Sequence, residues 1–349
     1  MKIAKRIYLI LILFLLVSLQ NTRAGDSIFA NRNFNLSYKN HYCNSLTLRQ
    51  DNIIDDVLFD RLSFNNQFLK ADTFFINKGS LKQRRNVRLA TSFSLLTAAY
   101  LVNLYFLNEA WYKQYPKSAF HFYDDNAEWL QIDKAGHLWT SYQESVGGIS
   151  LLNWCGVRQS RSDIFGSFFG LLLQTPYEIL DGMSKHWGFS LGDMYANLAG
   201  SLFALTQAKL WHEQRIAIKF SSHRIKYEND TLNLADYIYG TDFYNRTLRD
   251  YNGQTYWFSI NPRSFFKSAK FLPRWLNVAF GYGITIFDFY DRNNRYREFY
   301  FSFDVDFTKI QTKSKLLRTI FIFLNTLKVP CPTLEYNTKG NWKFHPFYF

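Results

Sequence analysis

The hydrophobic residues follow two patterns that divide the chain near Arg215. Before this point apolar positions recur at helical spacing in four stretches, at about residues 86–112, 132–154, 162–180 and 191–211. Gly166 and Gly170 stand four apart, a spacing that lets helix backbones approach closely. Beyond Arg215 apolar and polar positions alternate. The pattern predicts an α+β fold, in which a bundle of about four helices precedes an antiparallel β-sheet or partial β-barrel of about six strands.

Two stretches of the second half alternate most clearly. From Leu276 to Ile286, and again from Phe299 to Phe307, apolar residues alternate with small or polar ones, and the Asn293-Asn294 region between them predicts a hairpin turn. The apolar face of such strands packs on the helices or faces lipid, and the sequence leaves both alternatives open. The aromatic C-terminus, from Trp342 to Phe349, resembles the terminal segment of outer-membrane barrel proteins.

The first two dozen residues have the layout of a signal peptide. Basic residues precede an apolar run over residues 7–17, and Thr22 and Ala24 stand at the positions that a signal peptidase reads. The alternative is a retained N-terminal anchor. We therefore expect a protein exported to the periplasm or outer membrane of a Gram-negative bacterium. The predicted organisation is a signal peptide over 1–24, an irregular lead-in over 25–78, a helical domain over 79–212 and a β-rich domain over 213–349.

Composition and charge favour a membrane partner. Aromatic residues make up 19% of the chain, and tyrosine and tryptophan favour membrane interfaces. Loss of four basic residues with the signal peptide would lower the formal charge from +13 to +9. The remaining basic residues form two clusters, Lys78, Lys82, Arg84, Arg85 and Arg88, then Lys309, Lys313, Lys315 and Arg318. Export argues against nucleic acid, so we expect membrane lipid as the partner, or else a solvated surface; protein partners are not indicated.

The three cysteines predict neither of the two common structural roles of cysteine. Cys43, Cys155 and Cys331 are widely spaced and odd in number, which indicates neither a disulfide framework nor a zinc site. The first of them lies far beyond the predicted cleavage point. A lipid-anchored mature N-terminus is therefore not expected.

Polar residues cluster at the ends of the predicted helices. Asp133 and His137 lie four residues apart, so they share one helix face. Ser190 is placed to cap the helix that begins at residue 191. If the helices pack together, we expect one polar cluster formed by Asp133, Lys134, His137, Glu178, Asp181, Ser190, Asp193 and Asn197.

Three interpretations of this cluster remain open. It forms a hydrogen-bond network that fixes helix packing, or it binds a metal through His137 with carboxylates drawn from Asp133, Glu178, Asp181 and Asp193. In the third interpretation His137 is a base oriented by a carboxylate such as Asp133, and Lys134 meets a phosphate of an envelope lipid or cell-wall intermediate. No nucleophile elbow or phosphate-binding glycine loop accompanies the cluster. The residues therefore assign neither an enzyme class nor a cofactor.

The order of these motifs resembles a known family. Asp133-Lys134-x-x-His137, Glu178-x-x-Asp181-Gly182 and Ser190-x-x-Asp193-x-x-x-Asn197-x-x-Gly200 are similar to the YfiM-like family of envelope proteins, a domain of unknown function, with a looser likeness to VanZ-like membrane proteins. Short members of the family carry a lipid-attachment cysteine that this chain lacks. The resemblance implies an exported envelope protein, which we expect to support outer-membrane structure or lipid handling. The alternative is a hydrolase or transferase that acts on an envelope lipid or cell-wall intermediate.

Overall fold

The computed structural model of this chain describes residues 78–113, 115–227, 233, 235, 236, 239, 241, 243–266, 268–286 and 295–349. The predicted signal peptide, nearly all of the lead-in and the Asn293-Asn294 turn lie outside these residues. The fold is α+β, and most of the helical residues precede a six-stranded antiparallel open sheet.

Within the described residues, five α-helices precede the sheet. They are α1 Lys78–Leu107, α2 Ile132–Trp154, α3 Gln159–Ser167, α4 Phe169–Gly182 and α5 Leu191–Trp211. The bounds of α2 and α5 are those that the periodicity predicts. In the part of the chain that is described, one helical segment, Lys82–Tyr105, is long and apolar enough to cross a membrane.

The third predicted helix, over residues 162–180, is wrong because the chain forms two helices there. α3 ends at Ser167 and α4 begins at Phe169, with Phe168 between them. The carbonyl oxygen of Ser167 accepts a hydrogen bond from the hydroxyl of Ser145 on α2. This partner comes from another helix, so the periodicity of the segment itself does not reveal the break.

Glycines allow α3 and α4 to lie directly against α2. A Cβ atom at Gly166 would overlap the backbone of Gly148, and one at Gly170 would overlap the carbonyl oxygen of Ser141. The close approach expected from the glycine pair is thus present. The two glycines belong to different helices, however, and each one contacts its own part of α2.

The sheet follows the chain order β1 to β6. Its strands are β1 Ile216–Ser222, β2 Gln254–Ile260, β3 Leu276–Ile286, β4 Arg295–Val305, β5 Cys331–Asn337 and β6 Trp342–Tyr348. Among the described residues of this half, helices also lie between the strands of the expected β-rich domain, as in α6 Phe243–Arg249, α7 Pro262–Phe265 and α8 Lys315–Leu324. Phe307, expected in a strand, lies in a 3-10 turn.

One face of the sheet buries polar side chains. Asn277 and Asp304 pair across β3 and β4, and both are almost fully buried. Lys219 of β1 forms an ion pair with Asp304 at 2.8 Å, again without solvent exposure. Tyr348 of β6 bonds to Thr255 of β2 across this polar face. The sheet is therefore curled around its polar side.

The opposite face is apolar, and the helices cover only part of it. The ring of Trp139 on α2 contacts Phe220 of β1, and Phe203 on α5 contacts Phe258 of β2. Further across the sheet the phenylalanines of β3 and β4 remain exposed, among them Phe280. Helices thus pack on one part of this face, as the first alternative expects, and leave the other part uncovered.

Candidate polar site at the ends of the helices

The start of α2 is held in place by the sheet. Trp129, Leu130 and Gln131 have φ angles of 48°, 48° and 63°, the left-handed region that costs non-glycine residues free energy. Tyr282 of β3 donates a hydrogen bond to the carbonyl oxygen of Leu130, and Arg297 of β4 donates to the side chain of Gln131 at 2.7 Å. These contacts hold the strained segment and fix the direction in which α2 begins.

His137 lies at the centre of the polar residues. Its Nδ1 atom is 3.3 Å from Oδ1 of Asn197, and because an amide oxygen only accepts, Nδ1 carries the proton. Its Nε2 atom is 3.7 Å from Oε1 of Glu178 and 3.7 Å from Oδ1 of Asp193. Both separations are longer than a hydrogen bond. The imidazole therefore faces two carboxylates without a direct hydrogen bond to either.

Lys134 joins three carboxylates on the other side of the cluster. Its Nζ atom lies 2.7 Å from Asp125, 2.7 Å from Asp193 and 3.5 Å from Asp133. Ser190 caps α5 as expected, since its hydroxyl accepts from the backbone N–H of Asp193 at 3.1 Å and donates to Asp125 at 2.6 Å. Asp125 was not singled out from the sequence. Its place in an Asp-Asp-Asn turn, beside a helix that needs capping, was the available signal.

Two tyrosines that the sequence analysis missed bind the remaining carboxylates. Tyr112 donates to Asp181 at 2.7 Å, and Tyr251 donates to Asp133 at 2.9 Å. Tyr112 follows α1 and Tyr251 precedes β2, so the partners come from distant parts of the chain. Besides burial, the charges of His137, Asp133 and Asp193 act on the pKa of Asp181, so Asp181 lies near the group.

Carboxylates outnumber cations in this cluster. Lys134 and His137 are the cations that contact it among the described residues, against four carboxylates, those of Asp125, Asp133, Glu178 and Asp193. Lys185 lies near the acidic residues of α4 in the sequence, but its side chain is exposed to solvent beyond the end of α4 at Gly182, so it does not offset this charge.

Burial and the neighbouring charges shift the ionisation of the buried groups. Burial raises the pKa of Glu178 to about 8, against the lowering effect of His137, and raises the pKa of Asp181 to about 6. Burial lowers the pKa of His137, but Asp133, Asp193 and Glu178 outweigh burial and raise it above the ordinary value. The cluster thus favours the cationic form of His137, or any other cation at the same place.

The cluster is open to solvent on one side. The side chains of Asp133 and His137 are 25% and 21% exposed, whereas those of Glu178 and Asp193 are 2% and 6% exposed. Ser141, on the same helix as His137, is buried and donates its hydroxyl hydrogen to the carbonyl oxygen of Asn197 at 2.5 Å. A small ligand can thus reach His137, while Ser141 serves helix packing.

The part of the chain that contains this cluster is similar to a known family model. Residues 121–209 match a family model described as "Predicted periplasmic lipoprotein (DUF2279)", and this range contains every member of the cluster predicted from the sequence. No curated protein and no solved structure matches the chain. The match supports an exported envelope domain of unknown function. It supports neither the YfiM-like nor the VanZ-like name.

Proposed function

We propose that this chain is an exported envelope protein that attaches to the outer membrane and handles lipid at its surface. The observation that carries the proposal is the exposed apolar face of the sheet, which we call the aromatic face. It consists of Phe280, Phe299, Phe301, Phe303, Leu334, Trp342 and Phe344. The likeness to the YfiM-like family belongs to the same proposal.

The register of the sheet makes the aromatic face continuous. One row of paired residues crosses the five strands β2 to β6, and each residue pairs with the next on the neighbouring strand. The row is Phe258, Phe280, Phe301, Leu334 and Phe344. Each of these side chains is exposed, Phe344 by 63%. Soluble monomers rarely leave a contiguous apolar patch of this kind in water. Transfer of such a patch to lipid is favourable because it removes apolar surface from water.

The polar face of the sheet is also compatible with contact between the sheet and lipid. Protein that contacts lipid must satisfy its polar groups internally. Here Ser259 donates to Asp304 at 2.6 Å and accepts from Asn277 at 2.9 Å, and all three side chains are buried. Apolar groups outside and paired polar groups inside are the distribution expected of a lipid-facing sheet.

Basic and aromatic residues adjoin one end of the sheet. Between β2 and β3, Phe271 is 84% exposed and Trp275 is 43% exposed, and Lys270 and Arg274 beside them are also exposed. Aromatic rings and cations together suit the head-group region of an anionic membrane. This charge complementarity favours lipid over a second copy of the chain as the occupant of the aromatic face.

The helix α1 provides a second possible attachment. Its Lys82–Tyr105 segment has the length and composition of a membrane span, and Leu95 and Leu101 within it are more than half exposed. Arg84 and Arg85 at its start are exposed and can meet lipid phosphates. Length and composition support this role for α1, and the aromatic face supports lipid contact independently of it.

Quenching by brominated lipid tests contact at the aromatic face itself. We expect vesicles of phosphatidylglycerol with brominated acyl chains to quench Trp342 in the full-length protein. Trp342→Phe should then remove more of the quenching than Trp139→Phe, because Trp139 is covered by Phe220. Equal loss in the two variants would contradict the proposal. A dimer in detergent-free buffer that Phe301→Asp dissociates, without any quenching, would assign the face to a second copy.

A second candidate function is hydrolysis or group transfer on an envelope lipid. The observation that favours it is the partly exposed His137 with Glu178 behind it, at 3.7 Å from Nε2. The test is turnover of phospholipid and lipid-linked wall precursors in mixed micelles by the wild type and by His137→Gln. Turnover that depends on His137 supports an enzyme, and turnover unaffected by the substitution argues against this site.

A further inference from the structure

One nitrogen and two carboxylate oxygens converge at the open side of the polar cluster. Ligand atoms of Asp133, His137 and Asp193 all lie within 4.8 Å of one another. They come from the first and second turns of α2 and the first turn of α5, which pack together over much of their lengths. The fold therefore places these three side chains around one point in space.

The separations at His137 fit a shared ion better than direct contacts. Nε2 lies 3.7 Å from Glu178 and from Asp193, too far for a hydrogen bond. Bonds of about 2.0 to 2.2 Å in a tetrahedral arrangement place two ligand atoms roughly 3.3 to 3.6 Å apart. An ion between Nε2 and Asp193 thus fits this separation closely, and the carboxylate of Asp133, which lies within 4.8 Å of both, would complete the set by moving nearer.

The tautomer of His137 is set for binding through Nε2. Asn197 accepts a hydrogen bond from Nδ1 at 3.3 Å, so the lone pair of the neutral ring lies on Nε2, which faces the carboxylates. Metal-binding histidines commonly donate their second ring N–H to an oxygen in this way. Asn197 serves here as the group that orients the ring.

Asn197 supplies a second, independent observation that points to a ligand at this place. Its side chain is fully buried against the ring of His137, and its Nδ2 group has no hydrogen-bond partner among the described residues. Buried amide groups rarely lack an acceptor. A water or an anionic oxygen brought in with a metal would provide one.

We propose that Asp133, His137 and Asp193 bind one divalent transition-metal cation, such as Zn²⁺ or Mn²⁺, with Glu178 as the neighbouring carboxyl group. One imidazole and several carboxylates form the donor set that suits these ions. The cation offsets the negative charge that Lys134 leaves unpaired. Oδ1 of Asp193 keeps its contact with Lys134, because a carboxylate oxygen has lone pairs for two partners.

Three protein ligands leave a fourth position of a tetrahedral ion open. Asp133 and His137 are the partly exposed members of the set, so solvent reaches the ligands from their side. A fourth position of this kind holds water or a substrate oxygen in catalytic zinc sites. An oxygen-bearing ligand, such as a phosphate or carboxylate, is thus the chemical class that this site would take. The inference does not depend on membrane attachment.

The experiment measures metal content and metal-dependent stability of the full chain. Chelator-treated protein in detergent is dialysed against Zn²⁺ or Mn²⁺, and we expect about one ion per chain by elemental analysis and a higher melting temperature with the ion. His137→Ala and Asp133→Asn should each weaken binding about tenfold or more. His186→Ala is the matched control, because His186 is exposed and stacks on Tyr115 away from the cluster.

Each outcome decides the proposal. Binding that both site variants weaken and His186→Ala leaves unchanged supports it. If His137→Ala does not fold, Asp133→Asn carries the test, since Asp133 is the most exposed ligand. Absence of bound ion together with an unchanged melting temperature would overturn the proposal and assign His137 to ion pairs with Glu178 and Asp193. Equal binding by all variants would also overturn it.

Discussion

The two halves of the molecule bury charge in opposite ways. In the sheet, Lys219 and Asp304 form an ion pair at 2.8 Å with no exposed surface, and Asp304 also accepts hydrogen bonds from Ser259 and from the backbone N–H of Val329. In the helical half, the cluster around His137 has more carboxylates than cations and is partly open to solvent. A balanced, closed pair holds structure together, whereas an unbalanced, open cluster can accept a ligand.

The largest effect should come from breaking the balanced pair. Asp304→Ala should lower the free energy of unfolding by about 3 to 5 kcal/mol, because it leaves Lys219 charged and unpaired in the interior. Urea denaturation followed by fluorescence measures the change, and Asp124→Ala, at an exposed loop position, is the control. A loss as small as that of the control would show that water reaches Lys219.

An aspartate-to-alanine substitution in the open cluster should lower the free energy of unfolding less than Asp304→Ala does. Asp193→Ala should lower the free energy of unfolding by about 1 to 3 kcal/mol in metal-free buffer, since it removes a hydrogen-bonded partner from Lys134. Lys134 keeps Asp125 at 2.7 Å, so it does not become an unpaired charge. The comparison between the halves fails if Asp193→Ala and Asp304→Ala cost the same in parallel urea titrations.

A substitution that disturbs the close helix packing behind the cluster should destabilise the protein about as much as Asp193→Ala. Gly170→Ala should destabilise the protein by about 1 to 3 kcal/mol, because the added Cβ overlaps the carbonyl oxygen of Ser141 and must push α4 from α2. Gly136→Ala is the control, since its Cβ would meet only the end of the Tyr256 side chain. Thermal unfolding compares them, and equal melting temperatures would contradict the packing argument.

The local sequence pattern was enough to predict helices that bury a single face. The periodicity of 132–154 and 191–211 predicted the bounds of α2 and α5, and the position of Ser190 predicted the N-cap of α5. The break at Phe168 depends on a hydroxyl from Ser145, which no local pattern contains. The division into separate helical and β-rich domains stays a prediction.

Tertiary contacts decided what the pattern left open. The alternation in β3 and β4 identified two faces, but only the packing of α2 and α5 on β1 and β2 determines which part of the apolar face is covered. In the candidate site, motif spacing pointed to His137 and its carboxylates. Asp125 reaches the cluster from a loop, Tyr112 from the π-helical turn after α1 and Tyr251 from a 3-10 turn, and motif spacing within α2, α4 and α5 does not reveal them.

The smallest effect should come from an ion-pair group at the junction of the two halves. Glu213, just after α5, lies 2.7 Å from Lys309 and 2.9 Å from Arg215. Burial raises the pKa of Glu213, but these cations outweigh burial and hold it below its ordinary value of 4.5. The side chain is 37% exposed, so solvent screens the pairs, and Glu213→Gln should cost only roughly 0.2 to 1 kcal/mol at pH 7.

The pH dependence of that loss gives the sharper test. Because the pKa of Glu213 is lower in the folded protein than in the unfolded chain, its contribution is present above pH 4.5 and is lost as the pH falls towards the folded value. The stability difference between wild type and Glu213→Gln should therefore shrink in acid, and also in about 1 M salt, where exposed charges are screened. Urea titrations at pH 7 and in acid, with and without salt, measure it. A difference that persists under both conditions would show that Glu213 acts through packing. The comparison of balanced with unbalanced charge would then apply only to the Lys219–Asp304 pair and to the cluster around His137.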